Sequence, residues 1–587
     1  MTKQETKAAS AAELWDLINP AANASTESNV DEIDASTTII LETAPKQEPA
    51  PAETSEPAST AVAGGANTES SNTSPNPILA AAISSALQTI PAISEFTQIK
   101  PITNPQGVVA ELKNHVFTNQ YGVACLAITD GENYFAVIIG SSAGKAAIND
   151  AMAKIGINLN KQNLLDVIDI LKSHAEKSGK RIDTWNRVAP VLVDGVHVGV
   201  EIDLGNDQLT RVKITEAKVE MIHKGSKTLF LRSKLSMALV MPAEIGNRNL
   251  IKKYLNMTSV AAFLFVAWLT YIMSHPKLST SKYPILLLQG SEGTGKSFLC
   301  NQIILALLDP SVVGLQMIPN NLKDLAIASQ NNQVLAYDNV RAIQPFMSDI
   351  LCVAATGGSM STRQLYTDAD QSVIHLHVAL VLNGIYSFVT QPDLAQRCLP
   401  IQLSPIPETA RRSETAMVRE LQDDLPAILK GLYDLVAKIF THLPNAEVTN
   451  PERMIDFVYW LAAMEKADEV PAGIYQAVYS DALNQCRLDA LQDSLLATAI
   501  MDFMEYHVAK GKWTGSPSEL LIDLNKHVDA GSIRSREWPQ NAIALSKRII
   551  PLQSSLLAQG ISIELSRGKN RTITIIFNGL AAATSKY

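Results

Sequence analysis

Residues 285–297 read Ile-Leu-Leu-Leu-Gln-Gly-Ser-Glu-Gly-Thr-Gly-Lys-Ser. The first five form a short apolar run, as expected of a parallel strand buried on both faces. The next eight, Gly290-Ser291-Glu292-Gly293-Thr294-Gly295-Lys296-Ser297, match GxxxxGK[ST], and an apolar helical pattern follows through Leu307. Each part has a chemical reason. The glycines let backbone N–H groups curl around phosphates. Lys296 supplies a point charge to the β- and γ-phosphates, and Ser297 offers a hydroxyl to Mg²⁺. The helix adds its positive N-terminal end. The expectation is a site for ATP with Mg²⁺. A similar run, Ser141-Ser142-Ala143-Gly144-Lys145-Ala146, has Ile139 at the first-glycine position and no hydroxyl after the lysine, so it is set aside.

Three apolar runs downstream extend the pattern. Gln333–Asn339 ends in Asp338, a carboxylate suited to the metal at the end of a neighbouring strand. Asn339 stands where many such ATPases carry a second acid. Asp338 then either also activates the attacking water, or a base comes from Asp368 or Asp370. Val378–Asn383 ends in Asn383, which can orient that water. Arg397 precedes the strand-like Leu399–Leu403, where it can act as a finger reaching into a neighbouring subunit.

The order of phosphate loop, acidic strand, asparagine strand and arginine resembles superfamily III helicases of the AAA+ class. It is similar above all to primase-helicase-type ATPases of phages and mobile elements. Tyr337-Asp338-Asn339-Val340, Ala355-Thr356-Gly357-Gly358, residues 362–368 (TRQLYTD), Leu382-Asn383-Gly384-Ile385 and Arg397 carry the resemblance, over about residues 180–440. It implies an ATPase assembled as a ring, usually a hexamer, that moves along DNA. No primase signature accompanies it, and neither NKxD nor an LSGGQ-like signature points to another class of phosphate-loop protein.

The formal net charge of −9 resides entirely in residues 1–90, which hold twelve acids and three lysines; the remainder has 46 of each sign. Residues 20–75 are poor in large apolar side chains and are expected to be disordered. Ahead of them, Ser10 and Glu13 form a capping-box pattern before Leu14, Trp15, Leu17 and Ile18, and Pro20 closes it. This motif, residues 10–19, is a candidate for docking a protein partner.

Strands are expected at Tyr121–Thr129 and Asn133–Gly140, and helices at Ala146–Ile155 and Gln162–His174. A β-meander is expected over Val188–Val193, Val196–Asp203, Leu209–Thr215 and Thr228–Arg232. A helical linker follows over Leu250–Ser274. Its apolar run Val260–Met273 falls short of the roughly 20 residues a membrane span requires, so a buried helix is expected. The five cysteines form no CxxC pair, which fits reduced thiols in a cytoplasm rather than zinc.

Residues 510–587 hold eleven basic and five acidic residues. Helical patterns at Ser518–His527 and Gln540–Gln559 precede two strand-like runs around Arg567-Gly568-Lys569-Asn570-Arg571, which suggests a winged helix with Arg567, Lys569 and Arg571 facing nucleic-acid phosphates. Trp538-Pro539 and Gly560-Ile561 resemble the C-terminal domain of phage primase-helicases.

The expected fold is therefore an α/β P-loop NTPase (AAA+-like) core with added domains. They run as an acidic tail (1–95), a small α+β domain (96–180), a β-meander region (181–249), the ATPase domain with its leading helix (250–445), a helical region (446–509) and a basic winged-helix-like domain (510–587). The expected function is a DNA helicase or translocase of a mobile element. The alternative is an ATP-dependent switch or recruitment factor that does not unwind strands.

Overall fold

The computed structural model describes residues 105–363, 371–385, 388–492, 494–507, 511–535, 538–566 and 571–577. The motif at 10–19, Asp368, Asp370, Arg567 and Lys569 lie outside them.

The described chain is a mixed α/β structure with a parallel sheet. It opens with helix α1 (Pro105–Asn114), antiparallel strands β1 (Val116–Thr118), β2 (Ala124–Asp130) and β3 (Asn133–Ile138), and helices α2 (Ser142–Ala153) and α3 (Lys161–Ser178). Ser141 caps α2 by accepting from the Gly144 N–H at 3.1 Å, so the set-aside glycine-lysine run begins an ordinary helix. A meander follows: β4 (Val188–Val193), β5 (Val196–Asp203), β6 (Arg211–Thr215) and β7 (Lys218–Ile222). The β4–β5 turn places Asp194 and Gly195 at φ 51° and 79°, the type I′ geometry that Asp-Gly favours.

Two expectations about this half need correction. Thr228–Arg232 is not a strand. Phe230 and Leu231 make single bridges to Trp185, ahead of the meander, and to Ala136 of β3, so the segment lies between that approach and the first sheet. The fourth meander strand is β7, whose half-exposed sequence KVEMI gives no apolar run to read. The expected helix over Leu250–Ser274 is interrupted. A 3₁₀ segment, Arg248–Tyr254, ends before Met257 bridges to Leu403, and helix α4 starts only at Ser259 (Ser259–Ser274). Thr258 caps α4 through the Ala261 N–H. The apolar run lies in this helix, which is buried from Ala262 to Ser274; its buried polar groups are partnered, Thr270 Oγ1 accepting from Trp460 Nε1 at 3.1 Å, Trp268 Nε1 donating to the Pro284 carbonyl and the Tyr271 hydroxyl to that of Lys282. No helix among the described residues is long and apolar enough to cross a membrane.

The central parallel sheet contains β8 (Ile285–Gln289), β9 (Val334–Tyr337), β12 (Ala379–Gly384) and β13 (Cys398–Gln402), in the order β13-β8-β12-β9. Beyond β9, Gln316 adds a parallel bridge to Tyr337. Strands β10 (Gly358–Arg363) and β11 (Gln371–Leu376) form a separate antiparallel hairpin before β12. Ile285 to Leu288 are fully buried. Each such side chain contributes roughly 1.5–3 kcal/mol of transfer free energy, which holds β8 at the sheet's centre.

Helices cover the sheet: α5 after the phosphate loop, α6 (Leu322–Asn331), α7 (Pro345–Thr356), α8 (Pro392–Ala395), α9 (Glu414–His442), α10 (Ile455–Ala467) and α11 (Ile474–Gln492). Helix α5 is α-helical at Lys296–Phe298, π-helical at Leu299–Leu305 and α-helical again at Ala306–Leu308. One core joins meander residues such as Val200 and Val212 to α4, the sheet and Tyr475, Tyr479 and Leu483 of α11. Cys486 and Ala490, later on α11, enter the core on the sheet's other face, and Leu491 enters the C-terminal one. Helix α11 thus fastens three packing units together.

The C-terminal unit runs α12 (Leu495–His507), β14 (Lys512–Gly515), α13 (Pro517–Leu524), α14 (Ala530–Ile533), α15 (Ala542–Ile549), α16 (Gln553–Ala558), β15 (Ile561–Leu565) and β16 (Ile573–Phe577). Its sheet order is β14-β16-β15, all antiparallel. The single helix expected over Gln540–Gln559 is two, separated by a 3₁₀ turn at Ile550–Leu552. Pro551 lacks the N–H that an α-helix would use there.

Candidate functional site

Residues 290–297, the expected phosphate loop, follow the C-terminal end of β8. Gly293 and Gly295 take φ 74° and 83°, where an added Cβ would meet open space but the backbone would be strained. A Cβ on Gly290 would come within 2.9 Å of Thr294 Oγ1. Thr294 is buried and its hydroxyl donates to the Ser291 carbonyl at 3.0 Å, which closes the loop on itself. Among the described residues, the N–H groups of Gly293, Thr294 and Gly295 have no protein acceptor, so they are available to an anion. Ser291, Glu292 and Gly293 are exposed.

Lys296 Nζ donates to the carbonyls of Gly290 and Ser291, both at 2.8 Å. Partial burial lowers its pKa, against the opposing pull of Asp338 and Glu292. Ser297 Oγ donates to Asp338 Oδ2 at 3.2 Å, joining two residues 41 positions apart. Asp338 Oδ1 accepts the N–H of Asn339 at 2.8 Å. A hydroxyl and a carboxylate that meet in this way fit Mg²⁺, which takes oxygen ligands and completes its shell with water and phosphate. Among the described residues no group of three or more His, Cys, Asp or Glu side chains could hold a metal.

One expectation about Asp338 changes. Its strand is not next to β8: β12 lies between them. Asn339 follows it exposed and at φ 52°, so its side chain leaves the line of the strand.

Asn383, next to the last residue of β12 and opposite Leu288, is buried and directs Nδ2 at Cys300 Sγ, 3.9 Å away on α5. Its carbonyl accepts the N–H of Val340. The phosphate loop, Asp338 and Asn383 therefore gather at one end of the sheet. Arg397 does not join them. Its carbonyl accepts the Ile285 N–H, at the start of β8. Five residues of strand, roughly 17 Å, separate that level from Gly290. Arg397 Nη1 pairs with Asp393 Oδ2 at 2.6 Å, and Arg453 Nη1 takes the other carboxylate oxygen at 2.7 Å. Burial pushes the Asp393 carboxyl up, but its bonds to both arginines hold it below the usual range.

Asn256 has no sequence signal, yet it braces the loop. Its Nδ2 donates to the Thr294 carbonyl at 3.1 Å and to the Ser404 carbonyl at 2.5 Å. It falls in the break between the 3₁₀ segment and α4, so only the folded chain brings it to the loop.

Asp338→Asn is expected to cut Mg²⁺-dependent hydrolysis by about 100-fold or more, because it removes the charge opposing the metal. Asn339→Ala, on an exposed side chain, should cost less than about threefold. Turnover measured across a Mg²⁺ titration checks this; equal and mild effects would contradict the assignment of Asp338.

In the C-terminal unit, Arg571 is exposed at the foot of β16, and the Ser566 N–H donates to the Thr572 carbonyl at 2.9 Å, which closes the hairpin. Trp538 is buried and donates through Nε1 to Asn525 Oδ1 at 2.9 Å. Lys547 and Arg548 lie exposed in the last turn of α15.

A search of curated proteins found no match. Among solved structures, an A-form apo structure of the NrS-1 C-terminal region aligns at 12% identity and TM-score 0.33, over 79% of this chain and 96% of that one. A second structure of the region, residues 305–718, aligns at 12% identity over the same shares with TM-score 0.32. Residues 249–486 match the family model of the actinomycete integrative conjugative element replication protein, and residues 496–585 match that of the RepA C-terminal domain of such elements. Residues 249–486 and 496–585 are thus similar, in order along the chain, to two domains described for actinomycete integrative conjugative element replication proteins.

Proposed function

We propose that the chain is an ATP-hydrolysing, ring-forming motor that acts on DNA in the replication of a mobile element, a helicase or translocase of the superfamily III type. The observation that carries this reading is the junction of Ser297 with Asp338 beside Lys296, at the C-terminal end of a parallel sheet ordered β13-β8-β12-β9. That strand order, continued at its edge by Gln316, is the order expected of an AAA+ core. In this reading Gly290–Ser297 bind the phosphates of ATP, Ser297 and Asp338 hold Mg²⁺, and Asn383 orients the attacking water. Arg397 acts on a neighbour's nucleotide, since it lies at the wrong end of the sheet to serve its own. The family descriptions, which name replication proteins, support DNA as the partner.

The C-terminal unit is read as a winged helix. The order helix, strand, helices, strand, strand, with β14 and β15 flanking β16, supports this. Arg571 then lies at the base of a basic wing. A second reading, an ATP-organised switch without strand separation, draws support from Asn339 in place of a second carboxylate.

The test is ATP hydrolysis with and without single-stranded DNA, beside strand displacement on a forked duplex. Stimulation with displacement supports the motor; ATP binding without either favours the switch. Replacing Arg567, Lys569 and Arg571 together by alanine should lower the salt slope of duplex binding by roughly one unit for each phosphate no longer neutralised, while basal hydrolysis is retained. Wild-type affinity and slope would remove the wing from the DNA interface.

A further inference from the structure

The elements that carry Ser297 and Asp338 meet twice: at the site, and again at their far ends through Asp309. This residue directly follows α5. Its Oδ2 accepts the backbone N–H of Gln333 at 2.6 Å and that of Val334 at 3.4 Å, at the entry to β9. Its Oδ1 pairs with Arg187 Nε at 2.8 Å, and both side chains are about 95% buried. Arg187 in turn comes from the residue before β4 of the meander. Its other nitrogens donate to the carbonyls of Asp203, Met237 and Pro310. Its seat is built to fit: a Cβ on Gly205 would lie 2.2 Å from Arg187 Nη1.

The middle of α5 is π-helical from Leu299 to Leu305. A π-turn spreads one residue more than an α-turn over each hydrogen-bonded ring and is a rare, weakly held conformation. The axial position of Ser297 relative to Asp338 is therefore poorly determined by the helix itself. It is determined by what holds the helix at its two ends, the phosphate loop at one and Asp309 at the other.

We propose that Asp309, held by Arg187, is a positioning residue for the metal side of the nucleotide site, and that the β-meander sets the metal geometry through this pair. The inference rests on the reading of Gly290–Ser297 and Asp338 as a nucleotide and Mg²⁺ site. Residues outside the ligand set that orient the ligands typically alter metal affinity by about 10- to 100-fold. A general loss of packing would weaken metal-free nucleotide binding as well; loss of positioning would not.

The test uses the full chain. Nucleotide affinity is measured with a fluorescent ATP analogue in EDTA, and the Mg²⁺ concentration for half-maximal hydrolysis is measured separately. Asp309→Asn places an amide against either Arg187 or the Gln333 N–H. It is expected to raise the Mg²⁺ requirement about tenfold, with metal-free affinity kept within about twofold. Arg187→Lys keeps a charge for Asp309 but loses the planar fork, and a shift of about threefold in the same direction is expected. If Asp309→Asn does not yield folded protein, Arg187→Lys decides alone. An unchanged Mg²⁺ requirement, or metal-free affinity that falls in step with it, overturns the proposal. A wild-type chain that binds no ATP analogue overturns the underlying site reading instead.

Discussion

Lys296→Ala is expected to weaken ATP binding by one to two orders of magnitude and to abolish hydrolysis. A hydrogen bond to a charged group is worth about 1.5–3 kcal/mol, roughly ten- to a hundredfold in Kd. Lys296 is the cation that the loop itself supplies, and its ammonium already lies 2.8 Å from the carbonyls of Gly290 and Ser291, at the mouth of the loop. The fold should persist. The side chain is half-exposed, and the loop closes through Thr294 and Asn256 without it. Equilibrium binding of an ATP analogue, with a thermal melt as control, checks both halves. Wild-type affinity in a folded variant would contradict the assignment of this loop.

Arg397→Ala is expected to leave ATP binding within about threefold and to lower turnover by about three orders of magnitude, the scale on which arginine fingers act. The placement of the residue makes the experiment decisive. Arg397 sits at the level of Ile285 and not of Gly290, which places it away from its own chain's loop, as the proposed action on another subunit's site requires. To reach it, the guanidinium must leave Asp393. Arg453 also pairs with that carboxylate, so the anion keeps a partner when Arg397 leaves. Arg397 Nε is buried with no acceptor among the described residues, which reduces what is lost on release. Mixing Arg397→Ala with Lys296→Ala should restore part of the activity, because some interfaces then join an intact loop to an intact arginine. No recovery at any mixing ratio would contradict action between subunits.

Much of the site was legible because its signals are local. Positive φ at Gly293 and Gly295 is a property of single residues, and the apolar runs that became β8, β12 and β13 are read within a few positions. Elements failed to be legible where tertiary contacts overrode local pattern. Strand β7 is half-exposed and mixed in composition, so it offered no period to find. Thr228–Arg232 has a strand's composition but makes only single bridges, to Ala136 of β3 and to Trp185 between elements. The segment before α4 continues an apolar pattern, yet the bridge from Met257 to Leu403 breaks the helix there and frees Asn256 to reach the loop.

From sequence alone came the glycine-rich turn that follows β8, the carboxylate and asparagine at the ends of later strands, and the basic composition of the C-terminal segment, because each depends on residue chemistry and short spacing. Tertiary structure alone decided that β12 separates β8 from β9, that Arg397 lies at the opposite end of the sheet from the loop, and that Asn256, Arg187 and Asp309 brace the site. The physical reason is range. The hydrogen bond from Asn256 to Ser404 spans 148 positions and that from Arg187 to Asp309 spans 122, and side-chain pairs so far apart leave no periodic trace in the chain that folds to make them.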